Sequence, residues 1–153
     1  MSVARCFPFI WMLLIAVPVS AQLAQFPPEE FIERRAGLCE SVGEGYVLLF
    51  GESIRHPAIR LRQENDFFYY TGVEDLNAAM LIDVSDDCAA RLFLPSQSER
   101  EVRMDGANLL NDLDRAEEAG FSQVHEMSRL AEVLVRSKGD RTVPFWVRFG
   151  ESD

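Results

Sequence analysis

The sequence predicts an α/β domain, a mixed sheet of five or six strands flanked by helices. Three patterns carry that prediction. Short continuous apolar runs such as Tyr46-Val47-Leu48-Leu49-Phe50 read as strands buried on both faces. Two stretches with apolar residues at helical spacing, beginning near Pro28 and near Ser128, read as helices. Turn-rich breaks at Gly43-Glu44-Gly45, Ser85-Asp86-Asp87 and Lys138-Gly139-Asp140 separate these segments, so helices and strands are interleaved.

The first 21 residues form a unit of their own. Arg5 supplies a positive start, Phe7 to Val19 an apolar stretch interrupted by Pro8 and Pro18, and Val19-Ser20-Ala21 a small-residue cleavage signal. This reads as a secretory signal peptide cleaved after Ala21, which sends the chain to the periplasm or outside the cell. The apolar run is shorter than the roughly 20 residues a membrane anchor needs, so no membrane is expected as a partner after cleavage. The formal charge of −10 becomes −11 without Arg5, and no extended basic run remains. An acidic chain of this kind argues against nucleic acid as a partner.

Residues 22–153 are enough for one domain with a real core. Pro27-Pro28-Glu29-Glu30 opens the first helix, with proline and acidic residues suited to its first turn. Phe31, Ile32, Arg35, Leu38 and Cys39 then form one stripe, with Glu33 and Arg34 towards solvent. After the strand from Tyr46 to Phe50 comes a basic loop, Ile54 to Gln63, that holds His56. Phe67-Phe68-Tyr69-Tyr70 has high strand propensity, and Gly72 after it can take a positive φ and stop a strand. A strand here puts Phe67 and Tyr69 on one face and Phe68 and Tyr70 on the other.

Ala78 to Val84 and Ala89 to Leu94 predict an antiparallel hairpin turning at Ser85-Asp86-Asp87. Asp112-Leu113-Asp114 stands at the start of a short helix that Gly120 ends, which makes capping the expected role of the aspartates. Val124-His125 reads as a brief extended piece and Ser128 to Ser137 as a second clear helix. Thr142 to Val147 reads as a last strand, with Pro144 favouring an edge. Cys39 and Cys88 remain after signal cleavage; a disulfide between them and a pair of buried thiols both stay open.

The run Arg62-Gln63-Glu64-Asn65-Asp66-Phe67-Phe68-Tyr69-Tyr70-Thr71-Gly72 resembles a signature of the N-terminal domain of aminopeptidase P, the Xaa-Pro aminopeptidase related to creatinase and prolidase. Arg34-Arg35, the strand at Tyr46 to Phe50, the segments at Ala78 to Val84 and Leu92 to Pro95, and the stretch from Glu101 to Gly106 follow the family's order, over residues 28 to 145. The resemblance implies a non-catalytic domain of a secreted metalloaminopeptidase that removes an N-terminal residue preceding proline from a peptide substrate. In the family a C-terminal pita-bread domain does the hydrolysis, with Asp, His and Glu side chains around two manganese ions. None of those motifs is matched here, so no catalytic or metal residue is carried over and no bound cofactor is expected.

Arg62, Gln63, Asp66, Phe68 and Tyr70 are, by resemblance, the candidates for subunit contacts and active-site access, with Phe68 or Tyr70 as anchors. Phe67 and Tyr69 are expected inside the domain. The partners implied are the protein's own C-terminal catalytic domain and further copies of itself. A polar end directly after Phe145-Trp146-Val147 reads as a domain cut short, without the pita-bread domain. The alternative is a free-standing binding or regulatory module of the same fold without peptidase activity.

Other chemistries lack support. Gly51-Glu52-Ser53 lacks the spacing of a phosphate loop or a nucleophile elbow. Asp83, Asp86 and Asp87 lack the twelve-residue calcium loop and suit a turn.

Overall fold

The computed structural model describes residues 26–53, 63–139 and 144–148. The expected signal peptide, His56, Arg62, Thr142 and Val143 lie outside the described residues. Helix α1 (Pro28–Val42) begins with proline at its first position and glutamates in its first turn. It ends where Gly43, at φ 81, donates its N–H to the Cys39 carbonyl at 2.9 Å. Phe31, Arg35 and Cys39, spaced four apart, form its buried face.

Strand β1 (Tyr46–Phe50) leads through a loop to helix α2 (Asn65–Thr71), and then to β2 (Ala79–Asp83) and β3 (Ala89–Leu94). Two short helices follow, α3 (Glu99–Asp105) and α4 (Leu113–Glu118). Strand β4 (Gln123–Glu126), a 3-10 turn over Met127–Arg129, helix α5 (Leu130–Lys138) and strand β5 (Phe145–Arg148) complete the order.

The strands lie side by side as β4-β3-β2-β1-β5. The inner pairs β1/β2 and β2/β3 are antiparallel, and the outer pairs β3/β4 and β1/β5 are parallel. The fold is therefore a mixed five-stranded sheet flanked by helices. Because side chains alternate along a strand, each inner strand feeds two cores. Val47, Leu49, Met80, Ile82 and Leu92 pack on one face with Cys39, Phe67 and Phe121. Tyr46, Leu48, Ala79, Leu81 and Phe93 pack on the other with Leu130, Met127, Val133 and Leu134. Both faces of β1 are thus covered, as its continuous apolar sequence requires.

The hairpin turns through Asp87 and Cys88, both in left-handed backbone at φ 51 and 57, with Ala89 N–H donating to the Asp86 carbonyl at 2.9 Å. That turn brings Cys88 under the last turn of α1. The sulfurs of Cys39 and Cys88 are bonded, with Cα atoms 6.1 Å apart and a sequence separation of 49. Closing a loop of that length stabilises the fold by about 4 kcal/mol in the chain-entropy account.

The structure corrects the reading of Phe67-Phe68-Tyr69-Tyr70, which is helical in α2. Strand propensity is a weak preference that tertiary packing overrides. Here the helix buries Phe67 completely and Thr71 one turn later, and leaves Tyr69 half exposed. The expectation that Tyr69 packs inside is therefore also corrected. Gly72 does take a positive φ of 67, and it closes a helix. Helix α3 is a further addition: Ser98 and Glu101 form a capping box at its start.

The helical placement predicts unequal costs along the run. Phe67→Ala should destabilise the domain by about 3–5 kcal/mol, and Tyr69→Ala by less than about 1 kcal/mol, both read by chemical denaturation. Equal costs at the two positions would instead support a strand.

Candidate functional site

Helix α2 is short, and a helix this short is marginal without partners at its ends. Its start is fixed by two side chains. The Glu64 carboxylate accepts the Phe67 N–H at 2.7 Å and serves as N-cap. Gln63, 8% exposed, donates through Nε2 to the Asp75 carbonyl at 2.7 Å and accepts the Glu64 N–H at 2.9 Å and the Glu52 N–H. Gln63 thereby joins the end of β1, the start of α2 and the loop before β2.

The C-terminal end of α2 is held from α1. Gly72 N–H donates to the Phe68 carbonyl at 2.8 Å. Arg34 Nη1 donates to the Tyr69 carbonyl at 3.0 Å, and Arg35 Nη1 to the Tyr70 carbonyl at 2.9 Å. Three successive carbonyls that the helix leaves open are thus satisfied, two of them by cations at the negative end of the dipole. Thr71 Oγ1 donates to the Phe67 carbonyl at 2.7 Å and accepts Val73 N–H at 3.0 Å, which turns the chain into the next loop. A Cβ on Gly72 would stand 2.6 Å from the Phe31 ring, so only glycine allows α1 and α2 this close.

The two arginines differ in environment. Arg35 is 3% exposed, and its Nη2 reaches the Ala119 carbonyl at 2.6 Å and the Gly120 carbonyl at 3.3 Å beyond α4. Its guanidinium lies 4.8 Å from the Phe121 ring centroid, and burial lowers its pKa to about 10. Arg34 pairs with Glu30 at 2.6 Å and lies 4.3 Å from the Tyr69 ring centroid and 4.7 Å from that of Phe26. Phe26 and Tyr69 are about half exposed, so an aromatic surface with a cation at its centre lies across α1 and α2.

The expected contact residues separate into distinct roles. Gln63 is a buried latch. Asp66 lies in the first turn of α2, where its charge suits the dipole. Phe68 is half-buried and meets Phe31 edge-on, with centroids 6.3 Å apart. Tyr70 is half-buried against Tyr69, and burial raises its hydroxyl pKa, with smaller contributions from Tyr69 and Asp66. Arg62 is outside the described residues. Missing from that set were Arg34, Arg35 and Tyr69; the available signal was Arg35 itself, a cation inside an apolar stripe.

Asp112 caps α4 by accepting the Arg115 N–H at 3.3 Å, as its position in sequence implies. His125 packs on the Phe93 ring with centroids 5.5 Å apart, and burial, then Arg129 and Arg91, lower its pKa. Among the described residues no group of three or more His, Cys, Asp or Glu side chains is placed to hold a metal ion, and no helix is long and apolar enough to cross a membrane. The site presents an aromatic surface around Arg34.

The family described as "Aminopeptidase P, N-terminal domain" matches residues 31–144. The chain belongs to that family. Among solved structures, this aminopeptidase P domain resembles aminopeptidase P from E. coli in its low-pH form, with 25% identity and a TM-score of 0.61. The same enzyme with the inhibitor Pro-Leu matches with 26% identity and a TM-score of 0.62. Both alignments cover 74% of this chain and 27% of the E. coli chain, so the domain spans about a quarter of the length of the protein it resembles. No curated protein matches the sequence.

The two arginines of this aminopeptidase P domain should differ in energetic weight. Arg35→Met leaves buried carbonyls unpaired and should cost about 3 kcal/mol in denaturant unfolding, while Arg34→Met should cost about 1 kcal/mol. Equal costs would contradict the central place given to Arg35.

Proposed function

We propose that this chain is the non-catalytic N-terminal domain of a secreted Xaa-Pro metalloaminopeptidase, whose whole protein removes an N-terminal residue preceding proline. The observation that carries this reading is the family match over residues 31–144, on a chain that spans 27% of the E. coli enzyme it resembles. The hydrolysis belongs to a C-terminal catalytic domain, which uses two manganese ions to activate water. The donor set for such ions is missing among the described residues of this chain, and no catalytic step is assigned to them. The domain's part is to bind: it contributes to subunit contacts and limits access to the active site.

The α1–α2 surface supports that role. Tyr69 and Phe26 stand half exposed around Arg34, and Phe68 and Tyr70 lie beside them, half-buried. Aromatic and arginine side chains of this kind dominate interface energies. Because α2 is capped at both ends, the rings are held in place before a partner arrives, and little ordering cost remains.

The test pairs two measurements. An antibody against residues 22–153 captures the natural secreted product for intact-mass determination. The manganese-loaded chain and that product are then assayed on an Xaa-Pro peptide. A heavier product with turnover, beside an inactive chain, is the expected result. Turnover by the chain alone would overturn the non-catalytic assignment, and a product of the chain's own mature size would point to a free-standing module.

A further inference from the structure

The two residues of the Cys39–Cys88 bridge differ in burial. Cys39 is 8% exposed on the buried face of α1, whereas Cys88 is half-buried and lines an open cleft of about 460 Å³. The wall of the cleft runs from Ile32 and Arg35 on α1, past Asp86 in the hairpin turn, to Glu117 and Phe121. Cys88 and Asp87 both sit in left-handed backbone, at φ 57 and 51, which disfavours residues that carry a Cβ. The bridge is also one of two fastenings on the same helix face, since Arg35 lies one turn before Cys39 and holds the ends of α2 and α4.

We propose that the Cys39–Cys88 disulfide is a redox-addressable strut, opened in the folded protein by a small neutral dithiol that enters this cleft and attacks Cys88. One thiolate of the dithiol bonds to Cys88 Sγ as the Cys39–Cys88 bond breaks; the electron pair leaves on Cys39, which takes up a proton. The second thiolate of the dithiol then displaces Cys88 from the mixed disulfide. The dithiol ends as its cyclic disulfide, and the protein pair ends as two thiols. Asp86, Asp87 and Glu117 around the cleft favour a dithiol with no charge besides its attacking thiolate over a reductant that also carries carboxylates. Reduction releases the last turn of α1 from the hairpin and leaves the Arg35 clamp in place, so α1 loosens while the sheet persists. The strut thereby sets how rigidly the α1–α2 surface is held. Nothing in it depends on peptidase chemistry.

The full chain, with any free thiol blocked beforehand, is treated with dithiothreitol without denaturant, quenched with iodoacetamide and weighed intact. Alkylation of both cysteines should speed up about tenfold for a tenfold rise in dithiothreitol, because attack is direct. Tm should fall by roughly 15 °C with the circular dichroism of the sheet retained at 20 °C. The Cys39→Ser/Cys88→Ser variant should match the reduced protein and ignore dithiothreitol. Should that variant fail to fold, the kinetics of the native chain decide alone. A rate independent of dithiothreitol, a bond that stays closed until denaturant is added, an unchanged Tm, or loss of the sheet on reduction would each overturn the proposal.

Discussion

The Arg35 guanidinium is the group on which the packing of helices around this sheet depends. A buried cation is costly to desolvate, and the cost is offset only where its donors are fully used. Arg35 spends them on the carbonyl of Tyr70 at the end of α2 and on those of Ala119 and Gly120 beyond α4. One side chain on α1 therefore satisfies the ends of two other helices. The Phe121 ring covers its face, and Cys39 fastens the same helix to the β2–β3 turn one turn further on.

This clamp gives the signature run a physical meaning. Gln63 latches the loop to β1, Glu64 caps α2, Phe67 and Thr71 fill its buried face, and Gly72 admits the Phe31 ring. Most of the run is thus committed to building a helix and anchoring it. The outward side is left exposed, where Tyr69 stands beside Arg34 and Phe26. Buried anchors and exposed rings are divided along the two sides of one helix.

The sequence is legible where burial is two-sided or periodic. Tyr46 to Phe50, the hairpin strands and the buried stripe of α1 all follow from apolar pattern, and the resemblance carried by residues 62–72 identified the family. The run from Phe67 to Tyr70 was misread because four aromatics favour a strand, and only the caps from Gln63, Glu64 and the distant Arg34 and Arg35 make a helix there. Helix α3 has no apolar stripe, so Ser98 and Glu101 were its one local signal. The proximity of Cys39 and Cys88 depends on how α1 lies over the sheet, which spacing alone does not contain. For the site, Gln63 was named but its buried role was not legible, since its partners Glu52 and Asp75 come together only through the fold.

The most direct test of the clamp is residue-level amide hydrogen exchange on the native domain and its Arg35→Met variant. The clamp predicts that protection at Tyr69 to Gly72 falls by about 100-fold, in line with roughly 3 kcal/mol of lost local stability, and by more than the protection of β2. Protection that is unchanged in α2, or that falls equally across α2 and β2, would contradict the account.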